Sequence, residues 1–305
     1  MRVDGIAAAE YAELKQLGDI AIDDVLAVID HPVRDYRDLY YRWECQQWEA
    51  GSIDFSDDRT EWVERLSPEL KRSLVSALSS LSVAKDQLAS ALVPFVDAAP
   101  SEEQQVFLTT QLVDQARHMV FFDRFYAGVV EDVDGDMTAR LEGQKRRLNR
   151  GASTLVLEML PEVAERIRAE PDDRDALVDG VVLCHLMIQG MLGLTSQRFL
   201  LAYAAENSLL VGLRQGLTAI ARDEARHVAF GLKFLSDMVE DDVRFDPMIA
   251  TVVRRVVPVT LSALEPEGSD GYGSFTDGRA DLETFALAAL KTRLDLVGVR
   301  VEPTD

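Results

Sequence analysis

A chain of 305 residues with 47% hydrophobic content is large enough for one sizeable helical domain. Its net charge of −21 argues against a nucleic-acid partner, and no uninterrupted apolar run of about 18 residues marks a membrane span. Two cysteines, Cys45 and Cys184, are too few for a disulfide framework, so a reducing cytoplasm is expected.

The start, "MRVDGIAAAEYAEL", has acids where a signal peptide needs a basic end. The first 66 residues read as a segment packed on the rest. In "SPEL" (67–70) Ser67 is placed to cap a helix with Pro68 in its first turn. Leu74, Leu78, Leu81, Leu88 and Leu92 then form a stripe at spacings of three and four, interrupted once, at Lys85. "SEEQ" (101–104) is a capping box, and the helix it opens carries Leu108, Leu112, Gln115, Met119 and Phe122 on one face. After extra helical sequence near 137–170, a third long helix is expected at about 174–205, around the run "VVLCHLMIQGMLGL". A fourth shows Leu213, Leu217, Ile220, Glu224, His227 and Gly231 at the same spacing, with more helix near 246–295. "EPEGSDGYGSFTDG" (265–278) is the clear loop-rich stretch, and strand patterns are scarce. The expectation is a single all-α domain over 1–305, its core bundle at about 67–240 and residues 241–305 packed on it. Six Lys against 26 Arg, with abundant Asp, suggest an acidic, halophile-like surface, which concerns habitat rather than function.

Four of these helices bring polar residues to a face that should be buried: Lys85, Gln115 with His118, Gln189, and Glu224 with His227. A lone Gln or His in such a place is more often a satisfied core hydrogen bond. Here "DQARH" (114–118) and "DEARH" (223–227) repeat one another, and the members at i and i+3 of each point the same way. Two helices giving Glu-x-x-His and two giving a carboxylate is the layout of a dimetal carboxylate bundle.

Most of the chain resembles the ferritin-like superfamily of ribonucleotide reductase small subunits, and especially the ligand-binding oxidases similar to them. The likeness runs through "WECQQWEAGSIDFSDDRTEW" (43–62), "AKDQLASALVPF" (84–95), "FLTTQLVDQARHMVFF" (107–122), "CHLMIQGMLGLT" (184–195), "LLVGLRQGLTAIARDEARHVAFG" (209–231) and "TRLDLVG" (292–298). It implies a ferritin-like four-helix bundle with additional peripheral helices, a homodimer and a dimetal site. His118, Glu224 and His227 match metal ligands, but the other three positions, carboxylates in the family, fall on Lys85, Gln115 and Gln189. Asp86 is the alternative to Lys85; Lys85 lies on the leucine stripe and Asp86 off it. The radical tyrosine of reductase subunits matches Phe122, and the Tyr and Val of the oxidases' ether cross-link match Cys184 and Leu88, so neither feature forms at these positions.

Two divalent ions bring four positive charges. The six matching positions offer one carboxylate and one ammonium, a sum of zero before any metal arrives. Amide oxygens are weak substitutes for carboxylates toward hard cations. Asp114 and Asp223 would hydrogen-bond to the histidines of neighbouring helices and, without metal, hold His118 or His227 as imidazolium. The expectation is a metal-free or metal-poor core with a Lys85–Glu224 ion pair, in a protein that binds a hydrophobic, fatty-acid-like or lipid ligand; Met187, Met191, Leu192 and Leu194 are candidates to line its pocket, although such an apolar stripe is more often plain core. The alternative is an oxygen-activating oxidoreductase, mononuclear or dinuclear. In its mononuclear form one Fe or Mn ion per chain sits on His118, Glu224 and His227, with Lys85, Gln115, Gln189 and Cys184 as catalytic candidates. A covalent Lys85–Cys184 bridge is a further conceivable use of that pair, against the plainer reading of an inert buried thiol.

Overall fold

The computed structural model describes residues 22–27, 29, 35–130, 135–264 and 279–300; the loop-rich stretch at 265–278 lies outside them. Among the described residues there is no strand. In chain order the helices are α1 (Ile22–Ala27), α2 (Tyr36–Cys45), α3 (Ser56–Glu64), α4 (Pro68–Ala91), α5 (Val93–Asp97), α6 (Glu102–Phe125) and α7 (Met137–Lys145). Then follow α8 (150–169), α9 (Arg174–Glu206), α10 (Val211–Asp241), α11 (Phe245–Leu264) and α12 (Arg279–Val297). The bundle is made of α4, α6, α9 and α10. Helices α2 and α3 lie against α10, α7 against α4, and α11 and α12 against α9.

Local chemistry sets the helix starts. Ser67 accepts from the Leu70 amide at 3.2 Å with Pro68 in the first turn of α4, and Ser101 accepts from the Gln104 amide at 3.3 Å. The second half of that expected capping box is not made, because the Gln104 side chain turns to the Tyr36 hydroxyl instead. Helix α10 has no cap of its own: it follows Leu210 in a left-handed conformation (φ 53°). Asp58, from the "IDFSDDRTEW" stretch, takes its place by accepting from the Gly212 and Leu213 amides at 2.8 and 2.7 Å. Gly212 is needed there, since a Cβ would stand 2.4 Å from the Asp54 carbonyl oxygen. The motif thus fixes the start of the helix that carries Glu224 and His227.

The leucine stripe of α4 is buried from Leu74 to Leu92, and Lys85 within it is only 1% exposed. On α6, Leu112 and Met119 are only half-buried, and Phe107, Gln111, Asp114, Gln115, His118, Phe121 and Phe122 form the inner face.

Helix α9 departs from the expected regular α-helix. Between Arg174–Val181 and Leu194–Glu206 it winds as a π-helix, Val182–Gly193, every residue of which is buried. Two helices pass a length-and-composition test for crossing a membrane; the apolar window of Arg174–Glu206 is 100% buried inside the protein and that of Phe245–Leu264 is 44% buried.

Candidate functional site

Glu224 and His227 project from α10, Gln115 and His118 from α6, Lys85 from α4, and Gln189 from the π-helical segment of α9. All six are buried. Lys85 Nζ donates to Glu224 Oε1, and Gln197 Nε2, from the last part of α9, donates to Glu224 Oε2. Both oxygens of the single carboxylate among the six positions are therefore committed to protein donors. Gly193 lets the carboxylate lie flat on α9, since a Cβ there would stand 3.2 Å from each oxygen. Asp86 is not part of this group; it sits beside Gln87, 3.9 Å from Lys145.

The two histidines are held crosswise. His118 Nε2 lies 3.0 Å from Asp223 Oδ2 and His227 Nε2 lies 3.0 Å from Asp114 Oδ2, so each motif's acid grips the other motif's ring. Trp43 Nε1 donates to Asp114 at 3.0 Å and Trp48 Nε1 to Asp223 at 2.8 Å. Arg226 ties the halves together, 3.2 Å from Asp114 Oδ2 and 2.5 Å from Asp223 Oδ1, and Arg117 lies 3.1 Å from Asp114. Each acid thus has a tryptophan, a histidine and an arginine.

Electrostatics follow from that wiring. Burial opposes ionisation of Asp223, but Arg226, His118 and Trp48 overcome it and hold the carboxyl far below its ordinary range. Burial and the neighbouring Asp223 push Asp114 up to about 6 against the pull of Arg226. The pair thus holds its first negative charge on Asp223 and resists the second. Burial, then Arg226 and His118, push His227 well below 6.5, so this ring, one of the two named from sequence as a candidate imidazolium, is neutral. The contacts fit that tautomer: Nε2–H donates to Asp114, while Nδ1 accepts from Gln189 Nε2 at 3.1 Å.

Four buried polar atoms of these residues have no protein partner: Gln115 Nε2 and Oε1, His118 Nδ1 and Gln189 Oε1. Cys184 is buried and free, and burial pushes its thiol up; the hydrogen bond of Lys85 goes to Glu224, and no contact joins it to Cys184. Phe122 packs edge-on against Phe121 with ring centres 5.4 Å apart.

The donor set does not fit two divalent ions. Among the described residues no three His, Cys, Asp or Glu side chains gather as a group able to hold a metal ion. The one inward carboxylate is neutralised by an ammonium, and two metals would add charge that nothing at these positions balances in a low-dielectric core. What the arrangement does provide is a neutral, hydrogen-bonded core with spare donors and acceptors.

Sequence reading missed Gln197, Trp43, Trp48, Arg117 and Arg226. The arginines had a signal, since both copies of the motif carry Arg before His. It also missed His185, whose Nε2 lies 3.1 Å from Gln111 Oε1 and which burial, with His227 nearby, pushes down to about 3.

A second feature lies toward one end of the bundle. Helices α5, α6, α9 and α10 surround a narrow apolar cleft of about 10 Å³, room for about one water molecule, lined by Phe95, Leu108, Leu177, Val181, Phe230 and Phe234, with Gln104 the polar member of the wall. Along α6, Gln104 is eleven residues before Gln115, roughly 16 Å of helix. Met187, Met191, Leu192 and Leu194, expected to line a pocket, are instead closed core residues and do not border this cleft.

The sequence pattern of the family described as ribonucleotide reductase, small chain, matches residues 28–259. Among solved structures, a variant of an R2-like ligand-binding oxidase with anaerobically reconstituted Mn/Fe cofactor superposes with TM-score 0.74 at 21% identity, over 89% of this chain and 94% of that one. An aerobically reconstituted variant gives 0.75 at 21% over the same shares. A third, covering 100% of both chains, gives 0.74 at 20%. These structures share the ferritin-like, all-helical fold. With its bundle, its paired motifs and the matched 28–259, the chain belongs to the family of the ribonucleotide reductase small chain.

Proposed function

We propose that this chain is a family member that works without a dimetal centre and serves as a binding protein for a hydrophobic, fatty-acid-like molecule. The observation that carries the metal-poor reading is the Lys85–Glu224 contact, with Gln197 on the second carboxylate oxygen. Gln115 and Gln189 keep the size of the family's carboxylates without their charge. The similarity to R2-like ligand-binding oxidases supports the binding role. Elemental analysis of protein made with iron and manganese supplied tests the first half; two equivalents of either metal per chain would sink it. Mass spectrometry of an organic extract tests the second, with a co-purifying apolar molecule as the expected result.

One observation favours a second reading, an oxygen-activating oxidoreductase with one Fe or Mn ion per chain on His118, Glu224 and His227. Both rings are fixed through Nε2 by carboxylates, as outer partners fix metal-bound histidines, and His118 Nδ1 has no protein partner. In that reading Lys85, Gln115, Gln189 and Cys184 would border the reacting centre. A near-ultraviolet ferric band after exposure to iron(II) and oxygen distinguishes it from the first.

We also read the chain as a cytoplasmic homodimer. Cys45 and Cys184 are both free, and α6 shows an outward stripe of Val106, Val113 and Val120, each at least 41% exposed. Light scattering on the purified protein measures the mass.

A further inference from the structure

The closing motif of the chain, 292–298, reaches α9 through Arg293. This side chain is 3% exposed, and its Nη1 donates to the Gly190 carbonyl in the π-helical segment at 2.8 Å. Gly190 leaves room for the contact: a Cβ there would stand 3.1 Å from Nη1 and 3.0 Å from the His185 carbonyl oxygen. The residue before it is Gln189, whose Nε2 lies 3.1 Å from His227 Nδ1. Because His227 Nε2 gives its hydrogen to Asp114, the ring's free lone pair is on Nδ1, and the Gln189 amide donates to it. A neutral imidazole binds a cation through that same lone pair, so amide and ion compete for it. Glu224 is closed in the same manner by Lys85 and Gln197, whereas His118 Nδ1 has no protein partner.

We propose that Gln189 plugs the cation-binding nitrogen of His227, and that Arg293 is the positioning residue that seats the plug by fixing the backbone at Gly190. Exclusion of a metal then has two parts. The missing carboxylates withhold the charge an ion needs, and the plug withholds one of the lone pairs that remain. The C-terminal helix α12 thereby acts on the centre through the backbone of α9. The inference rests on the metal-poor reading of the centre and names the contacts that enforce it.

Zinc(II), which takes imidazole ligands, is the probe, titrated into the full chain against a chromophoric chelator. Ring 15N spectra of histidine-labelled protein are read beside it; the chain has four histidines. Gln189→Ala opens Nδ1 without adding a ligand. It is expected to bind zinc roughly 3- to 10-fold tighter than the unchanged protein, the worth of one amide hydrogen bond. The His227 Nδ1 resonance should move toward that of an unbonded ring nitrogen. Arg293→Leu should move both readouts in the same direction. Arg293→Lys keeps a donor for the Gly190 carbonyl and should return them toward the unchanged protein. Gly190→Ala, a gentler disturbance of the same contact, carries the test if Arg293→Leu does not fold. No gain of zinc affinity in Gln189→Ala overturns the plug. A response to Gln189→Ala with none to Arg293→Leu or Gly190→Ala overturns the role of Arg293. Two equivalents of iron or manganese in the unchanged protein overturn the metal-poor reading itself, whatever the variants do.

Discussion

The two rings of polar residues around the bundle centre are built for different work. The outer ring, Asp114, Asp223, Trp43, Trp48, Arg117 and Arg226, still grips both histidines through their Nε2 atoms in a near-symmetric pattern. The inner ring, where the family places carboxylates, carries Lys85, Gln115 and Gln189, and its remaining acid is closed by Lys85 and Gln197. Orientation of ligands and charge for the ion are therefore separable properties, resting on different side chains.

The sharpest test restores the inner ring alone. Because the outer ring is in place, Lys85→Glu, Gln115→Glu and Gln189→Glu together should take the chain from little bound metal to about two ions, the stoichiometry of a four-carboxylate bundle, read by elemental analysis. Next in size, Lys85→Met should cost about 3–5 kcal/mol in urea unfolding by stranding Glu224, and Lys85→Met with Glu224→Leu should recover most of that.

Acid sensitivity separates the core histidines from the outer ring. His185 sits at about 3 in the folded chain against an ordinary 6.5, so the stability it contributes is complete above 6.5 and is lost as pH falls toward 3. His227 acts in the same direction. Asp114, raised from 3.8 to about 6, has the opposite sign: its contribution is full below 3.8 and is lost as pH rises through about 6. Unfolding midpoints between pH 4 and 7 should flatten in His185→Gln and steepen in Asp114→Asn. Smallest, Trp43→Phe and Trp48→Phe each remove one indole donor and should cost about 1–2 kcal/mol apiece. A clear inequality would show that the two halves of the outer ring are not equivalent.

The inner ring was legible in the sequence because its members interrupt apolar stripes, and Lys85 stands out among leucines as no surface lysine would. Helix starts were legible at Ser67 and Ser101, since caps are local. The outer ring was not, because its partners lie far apart: Trp48 and Asp223 are separated by 175 positions and only folding brings them together. Gln197 was hidden for another reason. The run around Gln189 is apolar on every side, so periodicity carries no sign that the winding changes there.

That π-helical stretch has a consequence for how the molecule tolerates change. Upstream of it, Leu177 and Val181 wall the cleft; downstream, Gln197 reaches Glu224. The wider turns set the angular phase between these two ends of one continuous rod. A single-residue deletion within Val182–Gly193 would leave composition almost unchanged yet rotate one end against the other by about 100°. Cleft and centre would then fall out of step without either having been mutated.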